Sequence, residues 1–476
     1  MRRLVKGLVV GPLDKNAGEL WLCCPTLYSR ALKAMYCEQT GYSRVYPANL
    51  KEKGRRGKMP AIAHFRPHET QAGTERDLVE YMRRVYKANG WEKYAKFNGQ
   101  GGVNTPYVLY KSKNVRPEVR EEKLLKVRPI APGTKHPMKR LLSLVGRAWS
   151  FVTADMEGDD FVIKSGNEVP KFLEEAGDSL KGLGEVSYVV KDITGCFCAM
   201  PQESIRHAMK RIASRITAKR GYEGVSVPTR SKTQPCSWKR RDTRRDTVWI
   251  PFEVMLHVVD FALDHAVVKM PSIGSREVFL RQREGIPMGD PISPALCVGA
   301  TGWMEDEFMS ELTPAVKRMF RARRYMDDIL LLYAKSNSWD HERFLADFER
   351  SECYHRPLEL EDGAQGTFLE TTFEWKGDRW AYQIKNENRA GEEPKVWRYK
   401  DFRSHAPYAQ KRALITMMMR KVAKMASDKQ TLAESAMQKL EEFRRLRYPI
   451  GLLRGVCNFM GATTGDGTWI GIRNAI

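Results

Sequence analysis

Residues Arg323–Tyr333 read RRYMDDILLLY, two adjacent carboxylates set against an apolar run. The run Ile329–Tyr333 has the composition of a buried strand. Burying unpaired carboxylates costs several kcal/mol. A cation is therefore expected at Asp327 and Asp328. A second acid stands in a comparable place: Asp192, in YVVKDITGCF, also closes an apolar, β-branched run. Two strands that deliver acids at the same end bring Asp192, Asp327 and Asp328 together. Three clustered acids repel one another unless a hard divalent cation lies between them. Two Mg²⁺ ions about 3.5–4 Å apart suit in-line attack on a phosphoryl group. Mn²⁺ is the possible substitute. In that arrangement Asp192 and Asp327 are the main ligands and Asp328 a looser one at the same turn.

The chain has 476 residues, which implies more than one packed subdomain. Eighty Lys and Arg against 58 Asp and Glu leave a formal charge of +22. An excess of this size points to a polyanionic partner, since each phosphate contact releases condensed counterions. The nine cysteines show no CxxC pair. That argues against a zinc site and a disulfide framework, and for reduced thiols in an intracellular protein. The basic start MRRLVKGLVVGPLDKN has too short an apolar part for a secretory signal, and no apolar run long enough for a membrane span occurs. No membrane partner is expected.

The segment EEKLLKVRPIAPGTKHPMKRLLSLVGRAW supplies strand-like pieces, a Pro/Gly turn and a predicted helix at 138–150. Arg220–Arg245 is polar, Pro-containing and basic, and reads as a surface loop. Lys239, Arg240 and Arg241 beside Trp238 could grip a backbone while the indole stacks on a base, or the loop is simply solvated or a localisation signal. In GIPMGDPISPALCVGATGW, Ser293 suits an N-cap and Pro294 the first helical position. Gly299, Ala300 and Gly302 would let that helix lie close to a sheet. Beyond Trp397 the spacing of Leu414, Met418, Val422 and Met425 is helical. Thirteen Lys/Arg against five Asp/Glu between Trp397 and Arg447 give that region a basic face. Lys411, Arg412 and Arg420 are its candidate nucleic-acid contacts.

The order of these pieces resembles the reverse transcriptases over nearly the whole chain: KVRPIAP (126–132), DITGCF (192–197), GIPMGDPISP (285–294) and RYMDD (324–328). It is most similar to Penelope-like elements, a branch near telomerase, through GPLDKNAGELW, MPQESI, Met288, FLETTF, FRSHAPYAQKRALI and LRYP. Two features depart from that pattern. No GIY-YIG endonuclease motif is present, and Cys198 stands where telomerase and group II introns place an acid.

The resemblance implies an α+β right-hand polymerase, with an antiparallel palm sheet flanked by helices and a helical thumb. Residues 1–100 are expected to form an N-terminal, fingers-associated region. Interleaved fingers and palm should occupy 101–390, and a basic helical thumb with its tail 391–476. By this likeness Lys126 and Arg128 hold the incoming triphosphate, and Met288 and Gly289 form the nucleotide-contacting loop. Phe197, five residues after Asp192, would lie under the sugar and leave no space for a 2′-hydroxyl; the plain alternative is a core Phe. The implied activity is RNA-directed DNA polymerisation from a DNA or RNA primer with dNTPs, without a visible RNase H motif. A structured RNA or an endonuclease could be a partner. An RNA-dependent RNA polymerase and a catalytically idle nucleic-acid binder are the alternatives.

Overall fold

The computed structural model describes residues 6–14, 16–38, 41–45, 74–111, 127–156, 158–240, 246–271, 277–386 and 399–476. Lys126, Arg241 and the basic stretch NLKEKGRRGKMP lie outside them.

The start of the chain is built into a small all-strand and helix layer. A hairpin of Val9–Leu13 and Asn16–Cys23 packs, through Leu13, Trp21 and Cys23, on the antiparallel pair Tyr107–Tyr110 and Val127–Ile130. The same core takes in Val268, Met270 and Leu280 from a three-stranded sheet, Tyr42–Val45, Val278–Gln282 and Val267–Met270. The first residues thus share one apolar core with strands far along the chain.

The central layer begins with helix α1 (Lys139–Ala154) and helix α2 (Val169–Leu180). Strand β1 (Glu185–Thr194) follows, then helices α3 (Gln202–Arg220) and α4 (Ser293–Glu311). Strands β2 (Phe320–Tyr325), β3 (Asp328–Lys335) and β4 (Glu359–Asp362) complete a four-stranded sheet in the order β2-β3-β1-β4, antiparallel throughout. Successive side chains of a strand point to opposite faces. One face of β1 and β3, with Ile193, Ile329, Leu331 and Tyr333, joins the core shared with α1, α3 and α4. The other, with Val186, Val190, Leu330 and Leu332, packs on α2 and on a second small sheet that ends in Trp380–Ile384. Six consecutive buried residues, Ile329–Ala334, follow from burial on both faces.

Helix α4 lies where the sequence suggests but is used differently. Its first residue is Ser293, with Ile292 as the cap, and the Ser293 hydroxyl donates to the Pro287 carbonyl (2.7 Å). The N-cap expectation therefore misses by one residue, because Asp290 already supplies the side-chain acceptor, to the Ile292 N–H (3.3 Å). Gly299 and Gly302 do not face a sheet. A Cβ at Gly299 would come within 2.8 Å of Met209 on α3 and 3.0 Å of Thr153 on α1, so Gly299 serves helix–helix approach, while a Cβ at Gly302 would stand 3.2 Å from Met156 and 3.4 Å from Val162. The region read as a loop around 220–245 also contains a fully buried strand, Gly224–Pro228, paired with Thr247–Pro251.

Helices α5 (Tyr408–Lys424), α6 (Lys429–Arg445), α7 (Ile450–Thr464) and α8 (Thr468–Ala475) form the C-terminal bundle with its own core. Its buried stripe on α5 is Ile415, Met419 and Val422; Leu414 and Met418 sit at its flank, one residue off the predicted seam. Among the described residues, no helix is long and apolar enough to cross a membrane.

Candidate active site

The register of the central sheet decides where the acids meet. Asp328 is the first residue of β3 and the direct cross-strand partner of Asp192 on β1. Direct partners in an antiparallel pair have Cα atoms about 4.5–5.5 Å apart and share a face. Asp327 lies in the two-residue loop of the β2–β3 hairpin, and its carbonyl accepts from the Ile193 N–H (2.9 Å). Its charge acts on the neighbouring Cys196. That thiol is pushed well above its ordinary value by its contact with Cys297 (Sγ–Sγ 3.5 Å) and by burial, and Asp327 adds to the rise. On the other edge of β1, Glu361 of β4 is also a direct partner of Asp192. The sequence reading did not name Glu361; only the register reveals it. Among the described residues, no three His, Cys, Asp or Glu side chains converge as a ready-made metal cluster. The acids around Asp192 are all carboxylates, the donor type that hard divalent cations take, so the set fits Mg²⁺ by chemistry.

The hairpin turn is held from behind. Met326 has φ 57°, a left-handed conformation that costs a non-glycine residue about 1–2 kcal/mol. Its carbonyl accepts from the Arg324 guanidinium (2.9 Å). Arg324 is wholly buried and forks onto Glu305 of α4, equally buried, through Nε and through Nη2 (3.2 Å). Glu305 also accepts from the Tyr354 hydroxyl (2.6 Å) and from the Phe161 N–H (2.9 Å). Burial would lower the Arg324 pKa, but the Glu305 carboxylate more than offsets it, and the guanidinium stays charged. A buried pair survives this way only when its remaining donors and acceptors are satisfied. Nothing in the one-dimensional spacing of Arg324 and Glu305 signals the pair.

Three further segments, one of them the turn that follows β1, are stitched to one another by backbone hydrogen bonds. The Ala131 N–H donates to the Met288 carbonyl (2.7 Å) and the Gly133 N–H to the Gly289 carbonyl (3.1 Å). Gly289 has φ 113°, and a Cβ there would stand 3.0 Å from the Ala131 carbonyl; only glycine allows this approach. The Ile286 N–H donates to the Phe197 carbonyl (2.6 Å) and the Gly285 N–H to that of Met200 (2.9 Å). The loop 285–289 therefore bridges the turn after Asp192 and the strand that carries Arg128. The Phe197 ring is half-buried against the central core. Arg128 is paired with the buried Asp14 (3.2 Å). That gives the Asp of GPLDKN a structural reading, as the orienting partner of Arg128. Burial raises the Cys198 thiol pKa, and the charge of Arg128 opposes the rise, which sets Cys198 beside the same cation.

Other expected contacts resolve differently. Lys411 is turned inward: it is buried, and its ammonium donates to the carbonyls of Phe402 (2.6 Å) and Ser404 (2.8 Å), so it ties the bundle together rather than facing a ligand. Trp238 is stacked on Tyr222 (centroids 4.8 Å, 3°), packs on Phe151 and donates to Asp155 (2.9 Å), which leaves the indole engaged within the protein. Lys239 and Arg240 are exposed beside it. Arg412 and Arg420 line a groove of about 500 Å³ on α5 with Tyr408, Met417 and Phe459.

Neither a family model nor a curated protein matches the sequence. Solved structures do. Telomerase from Candida albicans, in complex with a TWJ fragment of telomeric RNA, superposes with a TM-score of 0.50 at 13% identity, over 83% of this chain and 65% of that one. The fold is a polymerase fold. The polymerase fold here thus spans about two thirds of the length of that telomerase. Apo telomerase from Candida tropicalis (TM-score 0.47, 11% identity, 97% of this chain and 66% of that one) and the Sicinivirus 3Dpol RNA-dependent RNA polymerase (0.38, 14%, 84% and 70%) are more distant likenesses. Within this fold, the Asp192–Asp328 register falls in the central four-stranded sheet.

Proposed function

We propose that the protein is an RNA-directed DNA polymerase that extends a DNA or RNA primer with dNTPs. The observation that carries this reading is the direct pairing of Asp192 with Asp328 beside the pinned carbonyl of Asp327. The likeness in fold to telomerase, solved in complex with a TWJ fragment of telomeric RNA, supports RNA as a partner. The motif resemblance to Penelope-like elements supports the same branch.

Asp192, Asp327 and Asp328 would hold Mg²⁺, which when bound lowers the pKa of the primer hydroxyl and neutralises developing phosphate charge. The chain's own residues do the rest. Arg128, oriented by Asp14, presents a planar fork that suits a phosphate of the incoming nucleotide. Phe197 places an apolar ring where a polar side chain would be needed to welcome a 2′-hydroxyl. Met288 and Gly289 hold the loop against the Arg128 strand, so the nucleotide's phosphate and sugar are gripped by segments that cannot move apart independently. The basic outer surface supplies sequence-independent affinity for the duplex.

The test is primer extension on an RNA template in Mg²⁺ with dNTPs or rNTPs, using wild type and Asp327→Ala. Extension with dNTPs only is expected, falling by about a thousandfold in the variant while duplex binding persists. Retained extension in Asp327→Ala would overturn the site. Extension with rNTPs would make the protein an RNA polymerase, and tight binding without extension in any lane would make it a binder.

A further inference from the structure

On the outer face of α1, away from the face that packs on α4, three segments enclose a pocket of about 820 Å³. Into it converge Lys96 from one loop, Lys139, Arg140 and Arg147 from α1, and Arg230 and Lys232 from the loop after the buried strand Gly224–Pro228. No Asp or Glu lines it. The walls are built rather than incidental. The Asn98 N–H donates to the Pro137 carbonyl (2.9 Å) and the Gly102 N–H to that of Lys135 (2.8 Å). A Cβ at Gly101 would stand 2.7 Å from that same Lys135 carbonyl, so glycine is what lets the two loops close. Arg147 fixes the third wall by donating to the carbonyls of Pro228 (2.6 Å) and Gln234 (3.1 Å). Arg230 has a carboxylate partner, Asp246 (3.2 Å). Among the described residues, Lys96, Arg140 and Lys232 have none. A concavity lined by this many cations and no carboxylate focuses a positive potential that draws in an anion.

We infer that this pocket is a binding site for the phosphates of a single-stranded polynucleotide, separate from the catalytic cleft. Its volume lies within the range of about 300–1,000 Å³ typical of ligand pockets. It admits a few nucleotides of an unpaired strand with cations on three sides, whereas a duplex would meet only the rim. The proposal rests on the polymerase reading for the identity of the anion, and the site supplies a hold on unpaired template or primer strand that the Asp192–Asp328 cleft does not.

The experiment measures equilibrium binding of a 12-nucleotide single-stranded RNA, the same sequence as single-stranded DNA, and a blunt 12-base-pair duplex, between 50 and 200 mM salt. Wild type is compared with Lys96→Ala/Arg140→Ala/Lys232→Ala, whose three sites are at the surface; thermal melting confirms its fold. Single-strand affinity is expected to fall roughly tenfold, and the slope of log K against log salt by about 2, for three lost contacts at about 0.7 each. Duplex affinity should stay within about twofold. Equal losses for RNA and DNA would identify a site that reads phosphate alone, and a greater loss for RNA a site that also reads the sugar; both sustain the proposal. Unchanged single-strand affinity, or equal losses for single strand and duplex, would overturn it. Because the readout is binding, a protein that fails to extend primers still tests the pocket.

Discussion

At the scale of single residues, the meeting of Asp192 and Asp328 was legible, and the settings of Lys411, Trp238 and the glycines of α4 were not. Asp192, Asp327 and Asp328 stand out in the sequence because each abuts an apolar run, where an acid has no ordinary reason to be. Gly289 stands out through its setting between Met288 and Asp290. Lys411 and Trp238 were misread because a long cationic or aromatic side chain is equally at home on a nucleic-acid surface or folded back on carbonyls and rings, and composition does not separate these outcomes. Phe197 carries the sharpest residue-scale prediction. Its half-buried ring follows Asp192 by one turn, and its carbonyl is locked by Ile286. Phe197→Ala should keep dNTP extension and raise relative rNTP use by about a hundredfold, the discrimination an apolar pocket can make against an added hydroxyl. The check is the ratio of kcat/KM for a matched dNTP and rNTP; an unchanged ratio would return Phe197 to a packing role.

At the scale of elements, strand and helix positions followed from periodicity, yet the site depends on something periodicity does not encode. The register of β1 against β3 sets which acids face each other, and Arg324 sets the turn that offers Asp327. That residue reads in sequence as one more surface arginine of RRYMDD. In the structure it connects β2, α4 and Tyr354 through Glu305. Glu305→Ala leaves a buried guanidinium without its carboxylate, and should cost about 3–5 kcal/mol in urea unfolding. At a temperature where the variant is folded, its kcat for extension should fall while its KM for dNTP changes little, since the turn rather than the nucleotide contacts is disturbed. Arg324→Lys keeps the charge and loses the fork, and should lie between wild type and Glu305→Ala on both measures. A folded Glu305→Ala with normal kcat would show that the turn holds without the pair.

At the scale of the molecule, Asp290, His136 and His265, which line one small buried cavity, contribute to the response to pH, as does Asp160, raised to about 6 chiefly by burial. Asp290 is raised to about 6 by burial, partly offset by the Ile292 N–H, while burial lowers His136 to about 4 and His265 to about 3. The signs oppose one another. The raised carboxyl favours the folded state below its unfolded value of 3.8, and that contribution is lost as pH rises through 6. The lowered imidazoles favour the folded state above 6.5, and theirs is lost as pH falls toward 4 and 3. A single substitution should therefore unmask one of these opposing contributions. Asp290→Asn, which keeps an acceptor for Ile292, should gain about 3 kcal/mol relative to wild type between pH 4 and pH 7.5, measured as the difference in unfolding free energy. A pH-independent difference would mean that Asp290 ionises normally. The net charge was visible at once in composition, but its placement was not: the cations of the α1 pocket come from segments more than a hundred residues apart.

The contacts of Arg324, Glu305 and Tyr354 have a consequence for how the protein comes into being. Asp192, Glu305 and Arg324 all emerge from the ribosome before Tyr354, and Glu361, which borders Asp192, later still. A nascent chain that carries both acid-bearing strands still lacks the hydroxyl that completes the Glu305 hydrogen bonds and the strand that closes the sheet. A chain cut short after the YMDD hairpin would carry Asp192, Asp327 and Asp328 without the Tyr354 hydroxyl and the β4 strand that adjoin them in the folded protein.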